Sequence, residues 1–254
     1  MSKIVRDADR FLSLCGGWQA MNPKTCGSGI LSCRPQVGFC EGNCTDCFYN
    51  GGRYYEDINR AHIPHPTFVR AGNSIIRMND GNDSNHQRDL VLGVASMYDR
   101  VFFNTSIPRL VFPGPVVLTV NGRDTDNTAW LLPKDTPGFR NLMAVRVRTN
   151  TWNLPLVKRV IDHYVHLDVP VCITYMAYYR GKIQDENSYD WHKRTLNSYW
   201  VIKDSARLRI ERELGVSEYM IYPCTITGDP THMCLHCGQC KTKYERWVER
   251  NERI

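Results

Sequence analysis

Short runs of β-branched and aromatic residues, separated by helical patterns, constrain this chain more than any other feature. They fall at residues 36–39, 74–78, 101–103, 116–120, 143–147 and 171–175, bounded by Gly, Pro and Asn. Between several of them the apolar spacing changes from two to 3.6. Ser84 and Gln87 read as a capping box that opens a helix with Leu90, Val91, Val94 and Tyr98 on one face. Asn153 caps a second helix, with Pro155 in its first turn and Val157, Val160, Ile161 and Tyr164 on its apolar stripe. A further helix is expected within 51–66, whereas 105–115 and 124–138 are rich in proline and suit loops. Strands alternating with helices predict parallel βαβ units. Six strands are too few for a closed eight-stranded barrel, so the expected fold is α/β: a partial (β/α)6 TIM-like barrel or an open parallel sheet.

Composition narrows the class. Hydrophobic residues make up 42% and charged residues 23%, as in ordinary globular domains rather than disordered ones. No apolar run reaches the ~18 residues of a membrane span. The first residues lack the apolar core of a secretory signal, so the expected location is cytoplasmic. The net charge of +6 is spread along the chain without a basic tail, which falls well short of the electrostatic footprint of a nucleic-acid binder and leaves such a partner open but unsupported.

Eleven cysteines in such a compartment point to metal or catalysis rather than disulfides. Cys40, Cys44 and Cys47 form a C-x3-C-x2-C triplet just past the first expected strand. Three thiolates on one loop can hold three corners of an iron–sulfur cubane and leave the fourth iron open. The alternative is a zinc knuckle that borrows Cys33 or His62 as a fourth ligand. A second tract, Cys224, Cys234, Cys237 and Cys240, has ferredoxin-like C-x2-C-x2-C spacing, suited to a second [4Fe-4S] cluster or to zinc. Cys172 sits alone in an apolar run and reads as an inert core residue. Cys15, Cys26 and Cys33 are irregularly spaced and receive no role.

The ends of the other strands matter because in parallel α/β folds they share one rim, where ligands bind. Those ends carry Asn79–Asp83, Asn104, Asn121 with Arg123, and Arg148.

Together these features resemble the radical S-adenosylmethionine (radical SAM) superfamily. The likeness covers roughly residues 34–180. It rests on the triplet after the first strand, on Phe48-Tyr49 after its last cysteine, on the Gly-containing segment after the second strand, and on the number of βα units. Two positions depart from the family pattern. Asp46 stands where an aromatic residue often precedes the third cysteine, and Asn79-Asp-Gly-Asn82 stands where Gly-Gly-Glu-Pro is typical. The resemblance implies that Cys40, Cys44 and Cys47 hold a [4Fe-4S] cluster whose open iron is chelated by S-adenosylmethionine (SAM). One-electron reduction then yields a 5′-deoxyadenosyl radical that abstracts a substrate hydrogen. It implies SAM contacts from Asn79, Asp80, Gly81, Asn82 and Asp83 to the amine and ribose, and from Asn121 and Arg123 near the ribose or substrate. Arg148 would partner the SAM carboxylate. A flavodoxin- or ferredoxin-type reductant is implied as partner.

The remaining chain divides into an N-terminal extension, 1–33, and a C-terminal extension, 181–254, that carries the second cysteine tract. An aromatic and basic stretch at 178–180 and 191–194 lies past the sixth strand, where it could contact substrate or cover the barrel. A non-catalytic zinc or iron–sulfur module, serving nucleic-acid binding or electron transfer, is the competing function. It does not account for the polar strand ends.

Overall fold

Chain segments that are apolar on both sides pair in parallel only where both sheet faces are covered, and this protein meets that condition with one curled sheet. The structure is a computed structural model and describes residues 25, 27–38, 40–42, 44, 47, 65–121, 129–179, 181–193, 198–217, 219–224 and 234–252. Six strands come first: β1 (Ile30–Cys33), β2 (Ile75–Met78), β3 (Val101–Thr105), β4 (Val116–Val120), β5 (Leu142–Thr149) and β6 (Val171–Tyr175). An antiparallel hairpin, β7 (Tyr189–His192) with β8 (Tyr199–Ile202), precedes the last strand, β9 (Ile221–Pro223). The main sheet runs β1-β2-β3-β4-β5-β6-β9, with every neighbouring pair parallel. It curls into a half-barrel.

One face is covered by helices. In α2 (Arg88–Ala95), Val91 and Val94 are buried. In α3 (Leu154–His166), which follows the short α1 (Phe68–Ala71) and α2 in chain order, Leu156, Val157, Val160, Ile161 and Tyr164 are buried. With Ile210 of α4 (Asp204–Glu213) they pack on Ile76, Met78, Phe103, Leu118, Val145, Val147 and Ile173 of the strands. The opposite face changes character along each strand. Near the strand starts Ile30, Ile75, Phe102, Val117 and Ala144 form an apolar floor. Tyr244, Trp247 and Val248 of the last helix, α6 (Gln239–Glu252), which follows the short α5 (Cys234–Cys237), pack against it. Two residues further along the same strands stand Ser32, Arg77, Asn104, Thr119 and Arg146. Side chains two apart share a face, so a polar layer lies directly above the apolar floor.

The first strand differs from expectation. Residues 36–38 are irregular, and Ile30–Cys33 takes the edge position instead. Pro35 offers no backbone donor to a ladder, and fully buried Gln36 spends its amide on the carbonyls of Asp83 (3.0 Å) and His86 (2.7 Å). β1 thus lies within the expected N-terminal extension, and β9 and α6 within the C-terminal one, so the sheet draws on all three expected segments. The sheet has seven strands rather than six, and the connection through 106–115 carries no helix.

The Ser84–Gln87 capping box does not form. Gln87 adopts a left-handed φ of 46° without a side-chain cap, and Ser84 instead accepts from Asn79 Nδ2 at 3.1 Å. Asn153 makes no cap bond either; its side chain accepts from the Asn150 amide and donates to the Arg148 carbonyl. The expected helix within 51–66 falls largely outside the described residues. Among the described residues, no helix is long and apolar enough to cross a membrane.

Leu118 is fully buried on the central strand β4. Leu118→Ala should lower unfolding stability by about 2–5 kcal/mol, the usual cost of such a cavity. Urea unfolding checks this, and a loss below about 1 kcal/mol would contradict the packing described.

Candidate functional site

All seven parallel strands end on one rim, and the triplet loop lies over it. Cys40 and Cys44 flank Gly42, and the Cys47 amide donates to the Cys44 carbonyl at 3.2 Å. A Cβ built on Gly42 would lie 3.4 Å from Cys40 Sγ, 3.4 Å from His86 Nε2 and 3.6 Å from Cys44 Sγ. These three atoms therefore border the position that a side chain at residue 42 would take and that glycine leaves open. From the end of β4, Asn121 Nδ2 donates to Cys44 Sγ at 3.3 Å, and Ser106, just past β3, also hydrogen-bonds that sulfur.

The thiols crowd one another electrostatically. Burial pushes Cys40 up to about 11; the Gly42 amide pulls against this, while Asp83, Cys44 and Cys47 add to it. Burial raises Cys44 as well, followed by Cys47, and the bonds from Ser106 and Asn121 offset part of the rise. Such an environment resists bare thiolates at Cys40 and Cys44. A metal cation bound there would supply positive charge and release their protons.

The segment after β2 divides by role. Asn79 (φ 60°) and Asn82 (φ 75°) are left-handed, which lets the chain turn tightly at the rim. Asp83 is buried, and its carboxylate accepts from Thr105 Oγ1 (2.7 Å), Ser106 Oγ (2.8 Å) and the amides of Asn85 and Ser106. With four donors engaged, Asp83 ties the β2 loop to the end of β3. Asp80 accepts from Ser32 Oγ at 2.8 Å, and Asn82 Oδ1 from the Asp83 amide. Gly81 is buried between them. Asn79 Oδ1 is buried and has no hydrogen-bond partner among the described residues. Arg148 is buried on β5, with its guanidinium 5.2 Å from the Tyr178 ring centroid. Arg123 lies outside the described residues, as do Cys15, Cys26, His62, Phe48 and Tyr49. Cys33 closes β1 within the apolar core, its thiol pushed up to about 12 chiefly by burial.

The second cysteine tract meets the sheet at its other edge. Cys224 directly follows β9, and its amide donates to the Ile173 carbonyl at 2.7 Å. Cys234 and Cys237 bound α5, and Cys240 lies in the first turn of α6. Cys172 joins them. Its register partners are Arg146 and Tyr222, and its thiol is hydrogen-bonded to Cys224. It is buried, as expected, but it belongs to a group of five thiols rather than to a purely apolar core. Its two-residue alternation with Thr174 and its register with Arg146 are what single it out.

Two guanidinium groups offset these thiols. Burial raises Cys240, then Cys224 raises it further, and Arg146 and Arg77 act against both. Burial opposes the charge on Arg146, but Cys224, Cys172, Cys240 and Tyr222 together outweigh it and raise its pKa. The Nε atoms of Arg77 and Arg146 have no acceptor among the described residues.

Neither group is a closed cage. Among the described residues, no three His, Cys, Asp or Glu side chains are already gathered around a point that could hold a metal ion. His86 is the rim residue that motif spacing missed, because it lies on the β2–α2 connection, far from the triplet in sequence. In comparisons with known proteins, no family model, no curated protein and no solved structure matches the chain.

The four donors on Asp83 make it the strut of the rim. Asp83→Asn should lower stability by about 1–3 kcal/mol, since an amide turns one acceptor into a donor facing donors. Asp80→Asn, which meets a hydroxyl that can rotate, should cost less. Equal losses for the two variants in denaturant unfolding would contradict the assignment.

Proposed function

We propose that the protein is a radical SAM enzyme whose rim thiols, Cys40, Cys44 and Cys47, hold a [4Fe-4S] cluster with one iron open to SAM. The observation that carries this reading is the meeting of the Cys40 and Cys44 sulfurs over Gly42, at a rim lined by Asn79, Ser106 and Asn121. The donor set fits: three thiols on one loop, no fourth cysteine beside them among the described residues, and a space that glycine keeps clear. When bound, the cluster and SAM supply one-electron cleavage of the S–C5′ bond and a 5′-deoxyadenosyl radical that abstracts hydrogen from substrate.

The chain's own residues hold and orient. Asn121 donates to the Cys44 sulfur, which draws electron density from that ligand, and the Ser106 hydroxyl, whose proton goes to Asp83, lies beside it. Asn79 Oδ1 and the carbonyls of the left-handed turn, including Asp80, Gly81 and Asn82, are available to a SAM ammonium and ribose. Asp83 holds that turn against β3 rather than reaching the ligand. Asn121 and Arg123 serve the ribose or substrate, and Arg148 the SAM carboxylate. In this reading the half-barrel is the family's partial (β/α)6 TIM-like barrel with a Cys-rich C-terminal extension. Cys224, Cys234, Cys237 and Cys240 hold a second [4Fe-4S] cluster, or zinc. A flavodoxin or ferredoxin delivers the electron.

The test is anaerobic reconstitution with iron and sulfide, followed by SAM and dithionite. The wild type should form 5′-deoxyadenosine, and Cys44→Ala should lose both the product and the rim iron. A colourless zinc protein that leaves SAM intact would overturn the proposal. Cys237→Ala should halve the iron per chain; unchanged iron with loss of zinc would assign zinc to the C-terminal site.

A further inference from the structure

His86 sits in a turn fixed from three sides. Its amide donates to the Asp83 carbonyl at 3.1 Å, its own carbonyl accepts from Gln36 Nε2, and its ring Nδ1 lies 3.4 Å from Glu41 Oε2. Glu41 belongs to the triplet loop, directly after Cys40. The other ring nitrogen, Nε2, is buried and has no hydrogen-bond partner among the described residues. It borders the same space over Gly42 as Cys40 Sγ and Cys44 Sγ.

A carboxylate on one imidazole nitrogen holds the proton there and turns the other nitrogen's lone pair outward. This is the arrangement by which proteins orient metal-ligating histidines. A buried nitrogen with no partner carries a desolvation cost that a metal bond removes. The three sulfurs and this nitrogen make a Cys3His set.

We propose that His86 is the fourth protein ligand of the rim centre, with Nε2 bound to the metal position that the three cysteines leave open and Glu41 fixing the ring. Within the radical SAM reading, on which this inference rests, His86 occupies the open iron whenever SAM does not, and the amine and carboxylate of SAM displace it. The exchange breaks one iron–nitrogen bond, forms the two bonds of the SAM chelate and changes no oxidation state. His86 thereby protects a cluster that would otherwise lose its fourth iron.

Pulsed EPR of the reduced, reconstituted protein without SAM tests this. The wild type should show the hyperfine coupling of a directly bound ¹⁴N nucleus. His86→Gln should lose that coupling, accumulate the [3Fe-4S] signal on mild oxidation, and bind SAM several-fold more tightly because a competitor is gone. Glu41→Gln, an exposed substitution, should keep the cluster and weaken the coupling. Identical nitrogen couplings in wild type and His86→Gln, with unchanged SAM affinity, would overturn the proposal while leaving the radical SAM reading intact. Zinc in place of the cluster, with three sulfurs and one nitrogen by X-ray absorption and the nitrogen lost in His86→Gln, would overturn that reading and support His86 as ligand.

Discussion

Parallel pairing of seven strands is the constraint on which the rest of the molecule depends. Because every strand runs the same way, every strand end lies on one rim, and residues far apart in sequence become neighbours there. Cys44 meets Asn121 and Ser106 only because β1, β3 and β4 share a direction. The same pairing separates the two faces. One is sealed by helices. The other passes from an apolar floor under α6 to a polar layer that includes Arg77, Asn104 and Arg146.

The two thiol groups sit at different levels of this architecture and have different electrostatic partners. At the rim, Asn121 and Ser106 are neutral partners of Cys44, and the nearby Asp83 carboxylate adds negative charge. Among the described residues, neither arginine nor lysine figures in the balance at Cys40 or Cys44. Below the rim, Arg77 and Arg146 face Cys240 directly. The rim group therefore gains more from a bound cation, whereas the inner group already has two guanidiniums to offset thiolate charge.

Much of this was legible in the sequence. The run at 116–120 and that at 171–175 match β4 and β6 residue for residue, because both faces of a buried parallel strand are apolar and leave an unbroken signal. The helix after Asn153 was equally plain, since its apolar stripe recurs at helical spacing from Leu156 to Tyr164. The first strand was misplaced because Ile30–Cys33 is only four residues long and carries a serine, while the competing run contains Gln36, whose polar side chain is buried by bonds to distant carbonyls. The β7–β8 hairpin was hidden because each strand has only four residues and β7 is mostly exposed, although Trp191 packs against Trp200 across it. His86 and Cys172 were invisible as site residues for one reason: their roles come from register and loop closure, which leave no local spacing to read.

The central claim is that SAM binds directly to one iron at the rim. Electron–nuclear double resonance on the dithionite-reduced protein, with SAM labelled by ¹⁷O in its carboxylate and ¹⁵N in its amine, measures that contact. The account predicts strong couplings to both labels in the wild type. Couplings to neither label, in protein whose rim cluster is intact and whose SAM is bound, would contradict it.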